Sequence, residues 1–167
     1  MNILTFDIGG TYIKYAVMNE NGEFTGRNRI RAPRTSREEL VGKALAPIRD
    51  KVVIATKCGV FWGPDGKMIR DSSPAAIRRS IEGSLTRLNT DHIDLYYQHR
   101  IDENVTPEEV AETMKELMQE GKITHWGISE TNEEYLRRAH AVCPVTAIQN
   151  RYSMIAREYE PMFPVLE

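Results

Sequence analysis

From about residue 40 onward, short apolar strands alternate with amphipathic helices, and this rhythm limits the possible folds more than any other feature of the chain. The predicted strands are Val52–Thr56, Ile93–Tyr97, Ile123–Ser129 and Val145–Ile148. Helix starts are marked by the N-cap residues Ser36, Ser73 and Thr106, and a further helix is predicted over Asn132–Val142. Strands separated by helices predict right-handed crossovers and a parallel sheet. We therefore predict an α/β fold with a parallel sheet. The 167 residues are fewer than the ~250 of a typical complete (β/α)8 barrel.

A different pattern precedes this region. The apolar runs NILTF and YIKYAVM are separated by a two-glycine turn, and Asn21-Gly22 is a strong hairpin signal before a more polar strand, Glu23–Arg31. Residues 1–31 are therefore predicted to form a β-meander. Within the later region, the stretch Gly59–Asp71 is rich in Gly, Pro and Asp and is predicted to be a loop.

The composition argues against several classes of partner. With 22 basic and 24 acidic side chains the net charge is −2, so nothing favours nucleic acid or an anionic membrane. The chain has no run of ~18 apolar residues, and we expect neither a signal peptide nor a membrane span. Two distant cysteines, Cys58 and Cys143, make neither a disulfide framework nor a metal site. Reduced thiols in a cytoplasmic protein are the expectation.

The chemistry of a parallel β/α fold lies where the strands end. In this chain those ends carry Lys57, His99, Ser129 with Glu130, and Gln149. A cation, an imidazole, a hydroxyl and an amide would thus converge on one rim. Taken singly, Lys57 could equally be a lysine that extends to solvent, and a lone histidine is more often structural than catalytic. The four positions together favour a functional site.

Four segments of the chain, in order and at barrel spacing, resemble the aldo-keto reductases, especially their bacterial branch. They are LVGKALAPIRDKVVIATK, IDLYYQHRID, GKITHWGIS and RRAHAVCPVTAIQNRYS. The resemblance extends from about Glu39 to Glu167. It implies that the predicted fold is a partial (β/α)8 (TIM) barrel with parallel strands. It also implies an NADPH-dependent oxidoreductase that reduces a small-molecule carbonyl substrate.

The resemblance also implies roles for the residues on the rim. The lysine and histidine of the family's Asp-Tyr-Lys-His tetrad correspond to Lys57 and His99. Residues that hydrogen-bond the nicotinamide carboxamide correspond to Ser129 and Gln149, and Glu130 takes the place of a frequent Asn. In such a site the lysine lowers the pKa of the tyrosine that protonates the carbonyl oxygen, while the histidine orients the carbonyl.

Two parts of the family pattern are not matched. The tetrad's Asp and Tyr belong upstream of the first matching segment, and the strands of the adenosine-phosphate site would follow residue 167. Asp7 and Tyr12 have the tetrad's D-x4-Y spacing, but the 45 residues from Tyr12 to Lys57 are too many for the family. We therefore expect a catalytic set and a cofactor site that are incomplete in this chain.

The N-terminal run TFDIGGTYIKYAV resembles the first phosphate motif of ROK-type (repressor/kinase) sugar kinases. That resemblance places Asp7 near Mg²⁺ and makes Gly9, Gly10 and Thr11 the phosphate-binding turn of an Mg-ATP site. A plain two-glycine hairpin is the simpler alternative. The predicted domains are accordingly residues 1–36 of kinase type and residues 37–167 of reductase type. A kinase fragment and a recombined or truncated chain without function stay open as alternatives.

The predicted barrel segment has consequences for assembly. Four parallel strands leave two open sheet edges with unpaired backbone groups, and such edges favour pairing with another chain. The N-terminal meander could cover one edge but not easily both. We therefore predict a homo-oligomer that forms through open sheet edges.

Overall fold

The computed structural model describes residues 3–8, 12–18, 24–31 and 36–166. Contacts divide these residues into two units, one drawn from Met1–Val53 with Ser84–Thr90 and the other from Ile54–Gly83 with Asp91–Glu167. The second unit holds the parallel strands. The predicted division of the chain between residues 36 and 37 stays a prediction.

The first three strands form the predicted meander. They are β1 (Ile3–Ile8), β2 (Tyr12–Met18) and β3 (Phe24–Arg31), antiparallel in the order β1-β2-β3. In this sheet Asp7 pairs with Lys14, and the register shifts between Val17 and Met18. The predicted phosphate turn, Gly9, Gly10 and Thr11, lies outside the described residues.

The rest of the chain alternates strands and helices. In order these are α1 (Arg37–Leu45), a 3-10 helix (Ala46–Lys51), β4 (Ala55–Cys58), β5 (Val60–Trp62), β6 (Met68–Arg70), α2 (Pro74–Leu88), β7 (Ile93–Gln98), α3 (Pro107–Gln119), β8 (Ile123–Ser129), α4 (Glu133–Val142), β9 (Ala147–Gln149), a second 3-10 helix (Glu160–Met162) and α5 (Phe163–Leu166). None of the helices within the described ranges is long and apolar enough to cross a membrane.

Local capping explains where the helices begin. The Thr106 side chain accepts from the backbone N–H of Glu109, whose carboxylate accepts from the Thr106 backbone in return, so the predicted capping box forms. The Ser73 hydroxyl accepts from the backbone N–H of Ala76, and the Asn132 side chain accepts from that of Tyr135. Because capping is a contact between residues close in sequence, the sequence alone was sufficient to predict these starts.

Four parallel strands make the central sheet, in the order β4-β7-β8-β9. One level of Cα partners runs Lys57, Tyr97, Gly127 and Ala147 across the four strands. Together with the helical crossovers α3 and α4, this arrangement confirms the predicted α/β fold of a partial barrel. In the described residues, β4 and β9 are the outer strands of this sheet.

The two faces of the sheet differ sharply. Side chains alternate between faces along a strand, and the face at which α4 packs buries Tyr96, Gln98, Trp126 and Ile128 completely. The Tyr135 hydroxyl of α4 donates a hydrogen bond to Gln98, which shows that α4 covers this face. The level that contains Lys57, Tyr97 and Gly127 therefore faces the opposite way, toward the interior side of the barrel segment.

Three details differ from the sequence-based expectation. The first parallel strand begins at Ala55 rather than at Val52, and the Ile54 N–H just before it donates to the Asp94 carboxylate at 2.7 Å. The last parallel strand begins at Ala147 rather than at Val145. The stretch Gly59–Asp71 is not a simple loop but contains the β5–β6 hairpin, closed by a bond from Gly63 N to Lys67 O of 2.8 Å. Strands of three residues carry too short a pattern to stand out in a sequence.

Gly127 lies where the sheet leaves no room for a side chain. A Cβ atom at this position would be 2.5 Å from the Ala147 carbonyl oxygen and 2.6 Å from the Tyr97 ring. We predict that Gly127→Ala lowers the free energy of unfolding by about 2–3 kcal/mol, as overpacking does. Urea unfolding measures this. The control is Gly121→Ala, which has a positive φ but open space and should cost about 1 kcal/mol; an equal loss in both variants would contradict the prediction.

Candidate active site

The carboxyl ends of the parallel strands bring the predicted site residues to one rim. Lys57 lies in β4, His99 directly follows β7, and Ser129 and Gln149 are the last residues of β8 and β9. Ser129 and Gln149 are Cα partners. Because Lys57 pairs with Tyr97, two residues before His99, all of these positions fall on the sheet face opposite α4.

The charge of Lys57 acts on His99. Burial lowers the pKa of His99, and the charges of Lys57 and Arg100 lower it further. Burial and the charge of Arg100 also lower the pKa of Lys57, against the charge of Glu130, which raises it. The consequence is a neutral imidazole at pH 7, able to donate one hydrogen bond and accept another. The backbone of His99 is fixed as well, since its N–H donates to the Cys58 carbonyl at 2.9 Å.

Arg100 is a site residue to which the sequence analysis assigned no role. Its Nη1 donates to the carbonyl oxygen of His99 at 2.9 Å and to the Ser129 hydroxyl at 3.2 Å. Ser129 is only 3% exposed, so this bond satisfies a buried hydroxyl. The only signal in the sequence is the position of Arg100 directly after the histidine at a strand end.

Glu130 follows Ser129 in an unusual conformation. Its φ is 55°, in the left-handed region that few non-glycine residues other than Asn and Asp adopt. Its backbone N–H donates to the Gln149 carbonyl at 3.2 Å. The carboxylate accepts from the Arg151 backbone N–H at 2.7 Å and from the Tyr159 hydroxyl at 2.9 Å. Glu130 thus ties the segment after β9 to the end of β8.

A buried polar network supports the strand that presents His99. Gln98 is fully buried; its amide nitrogen donates to the Ser72 hydroxyl at 3.2 Å and its amide oxygen accepts from the Tyr135 hydroxyl at 3.1 Å. The Asp102 carboxylate, also buried, accepts from the Ser72 backbone N–H at 3.0 Å and from both the backbone and the side chain of Asn104 at 3.0 Å. The end of β7 is therefore fixed from its helix side.

Two other reactive groups close to the rim are poorly suited to proton or nucleophile chemistry. Tyr97 shares the level and face of Lys57, but burial raises the pKa of its hydroxyl, the opposite of what a proton donor needs. Burial raises the pKa of the Cys58 thiol to about 12, so a thiolate does not form there. Cys58 and Cys143 are both free thiols, as expected. Among the described residues, no group of three His, Cys, Asp or Glu side chains could hold a metal ion.

Comparisons with known proteins agree with this geometry. The sequence model of the aldo/keto reductase family matches residues 2–167. A probable aldo-keto reductase of Glycine max is 44% identical over 124 residues, which are 74% of this chain and 36% of that protein. The solved glycerol dehydrogenase of Gluconobacter oxydans superimposes with a TM-score of 0.69 at 37% identity, over 74% of this chain and 39% of that one.

A further solved structure, an aldo/keto reductase of Klebsiella pneumoniae in complex with NADP and acetate, gives a TM-score of 0.63 at 32% identity, with 77% of this chain and 43% of that chain covered. The chain belongs to the aldo/keto reductase family. It spans between 36% and 43% of the length of these three relatives. The family match includes nearly all of residues 1–36, and it does not favour a kinase origin for that segment.

Asp102 allows a test of the buried network. Burial alone would raise its pKa, but the bonds from Ser72 and Asn104 and the charge of Arg70 outweigh this, so the pKa lies below the model-peptide value of 3.8. The stabilisation is therefore present above pH 3.8 and is lost as the pH falls through the folded-state value. We predict that Asp102→Asn costs about 1–3 kcal/mol at neutral pH and flattens the acid limb of stability.

Urea unfolding at a series of pH values checks both effects. The control is Asp65→Asn, which removes a carboxylate that is 56% exposed and should change stability little. If the stability of Asp102→Asn fell at low pH as steeply as that of the unmodified chain, the bonds of the Asp102 carboxylate would not be the source of the acid sensitivity.

Proposed function

We propose that this chain carries the lysine, histidine and nicotinamide-binding part of an NADPH-dependent site for the reduction of small carbonyl compounds. The observation that supports this most is the convergence of Lys57 and a neutral His99 beside Ser129 and Gln149 on one rim. Lys57 and His99 are the proposed catalytic residues. The membership of the chain in the aldo/keto reductase family gives this arrangement its chemical meaning.

The residues present fit the nicotinamide end of the cofactor. A carboxamide offers one acceptor oxygen and one donor nitrogen. The Ser129 hydroxyl can donate to the oxygen, and the exposed Gln149 amide, its partner in register, can accept from the nitrogen. When bound, NADPH would supply the hydride. Glu130 stays a predicted cofactor-binding residue, and its carboxylate also shapes the rim by accepting from the Arg151 backbone and the Tyr159 hydroxyl.

The two catalytic residues would act on the carbonyl oxygen. A neutral His99 can donate a hydrogen bond to that oxygen and so orient the carbonyl carbon toward the nicotinamide. The cationic Lys57 stabilises negative charge that develops nearby and would lower the pKa of a proton-donating tyrosine. Such a tyrosine and its aspartate have no counterpart in the segment that carries the resemblance. Asp7 and Tyr12 have only the spacing of that pair.

Turnover tests the state of the catalytic set. Since general acid catalysis contributes ~10²–10⁴-fold, we predict negligible NADPH oxidation with small aldehydes, measured as loss of absorbance at the nicotinamide band. Lys67→Met, at a lysine side chain that is 84% exposed, is the matched control for Lys57→Met. Robust turnover that only Lys57→Met abolishes would contradict the prediction. If Tyr12→Phe also abolished it, Asp7 and Tyr12 would be the missing pair.

We also propose a homo-oligomer that assembles through the outer strands β4 and β9. Beside β9 lies an open groove of about 640 Å³ lined largely by aliphatic side chains, among them Leu136, Val145, Ile148 and Val165. Nearby in sequence, Met154 and Ile155 are 96% and 97% exposed. Unpaired strand edges next to exposed apolar side chains favour association with another copy.

Light scattering at several protein concentrations measures this association. We predict a dimer or a larger assembly whose proportion rises with concentration. A monomer that persists at high concentration and unfolds cooperatively would show that the outer strands are sufficiently covered within one chain.

Two further predictions concern the cellular location of the protein and a kinase-type function for residues 1–36. Free, buried thiols at Cys58 and Cys143 support a reducing, cytoplasmic environment. For residues 1–36, the antiparallel pairing of β1 and β2 is what either a kinase-type phosphate hairpin or a plain hairpin would give. Because the family match also extends across these residues, the Mg-ATP site at Asp7, Gly9, Gly10 and Thr11 and the domain boundary after residue 36 stay predictions.

A further inference from the structure

We propose that Arg100 is a positioning residue for this site: it joins the ends of β7 and β8 and orients the Ser129 hydroxyl so that its hydrogen is directed to the carboxamide of the cofactor. This inference rests on the proposed function for the identity of the ligand. The link that Arg100 makes between the two strand ends, here called the clasp, is argued from contacts within the chain: its bonds to the His99 carbonyl and the Ser129 hydroxyl.

The first part of the inference concerns the backbone of His99. Its N–H is bound to β4 through the Cys58 carbonyl, and its C=O is bound by Arg100. Both backbone groups of the residue that carries the imidazole are therefore occupied. With the backbone fixed in this way, fewer orientations are open to the imidazole.

The second part concerns the hydroxyl of Ser129. A guanidinium has only donors, and Nη1 carries two hydrogens, which is one for each of its two acceptors, His99 O and Ser129 Oγ. Because Ser129 Oγ accepts from Arg100, its own hydrogen must point elsewhere. The hydroxyl is thereby set as a donor, the role that a carboxamide oxygen requires, while Gln149 opposite it in register serves as the acceptor.

The third part explains why an arginine suits this position. The guanidinium is planar and its N–H groups are fixed relative to one another, whereas a lysine ammonium rotates on a flexible stem. Two acceptors on neighbouring strands can therefore be held by one arginine nitrogen in a single geometry. Lysine would keep the positive charge near Lys57 and His99 but would not reproduce the clasp.

Three variants separate charge from geometry. Arg100→Met removes both, Arg100→Lys keeps the charge, and Arg137→Met is a control at an exposed arginine of α4 that pairs with Glu133. The probe is reduced nicotinamide mononucleotide, which carries the carboxamide and lacks the adenosine part. We expect Arg100→Met and Arg100→Lys each to weaken its binding about tenfold, the effect of one lost hydrogen bond, and Arg137→Met to leave it unchanged.

NMR on the unliganded chain gives two further readouts. The three-bond couplings of Ser129 should report one χ1 rotamer in the unmodified chain and averaging in both Arg100 variants. The pKa of His99, followed by pH titration of the imidazole, should rise in Arg100→Met and change little in Arg100→Lys. Loss of probe affinity together with a released Ser129 and an unshifted His99 in Arg100→Lys supports the clasp over a merely electrostatic role.

The outcomes divide cleanly between the two proposals. If the unmodified chain does not bind the probe at millimolar concentration, the proposed function fails, and the Ser129 couplings alone then decide whether Arg100 is a clasp. If Ser129 keeps one rotamer in Arg100→Met, or if Arg100→Lys binds the probe as the unmodified chain does, the positioning role is overturned.

Discussion

The register of the four parallel strands is the constraint on which the rest of this site depends. It puts Lys57, Tyr97, Gly127 and Ala147 at one level and Ser129 opposite Gln149. A shift of one residue in any strand would turn its side chains to the opposite face. The absence of a side chain at Gly127 leaves the space beside β8 that the Tyr97 ring occupies. The same strand register therefore sets both the packing inside the sheet and the positions of the rim residues.

The electrostatics of the rim follow from this placement. Lys57 and Arg100 bring two cations close to His99, with Glu130 as a carboxylate whose charge reaches Lys57. Partial burial and like charges both disfavour protonation of the imidazole, so the two effects act in the same direction. A neutral histidine can donate a hydrogen bond to a carbonyl oxygen, and a lysine at the same rim can stabilise negative charge that develops there.

The rim is also held by residues that do no chemistry. Asp102 binds the Ser72 backbone, and the Ser72 hydroxyl accepts from the Gln98 side chain. Arg100 donates to the carbonyl oxygen of His99. Glu130, directly after β8, has a left-handed backbone conformation. Its carboxylate binds the segment that follows β9. Backbone conformations of this kind persist where surrounding contacts enforce them, and they concentrate at functional sites. The precise placement of two proposed catalytic side chains thus requires several supporting contacts.

The sequence by itself determined the order of the four parallel strands and of the helices between them, the helix starts, and which polar residues lie at the carboxyl ends of those strands. These depend on periodicity, capping and turn residues, which are properties of short segments. It also contained the family resemblance that assigned Lys57 and His99. Only the tertiary structure decided that Arg100 joins His99 to Ser129, that Asp102 holds Ser72, and that the Glu130 carboxylate binds the segment after β9. Asp102 and Ser72 are 30 residues apart in sequence, and Arg100 and Ser129 are 29 apart. Contacts at such separations depend on how the strands and loops are placed in three dimensions, and no local pattern in the chain records them.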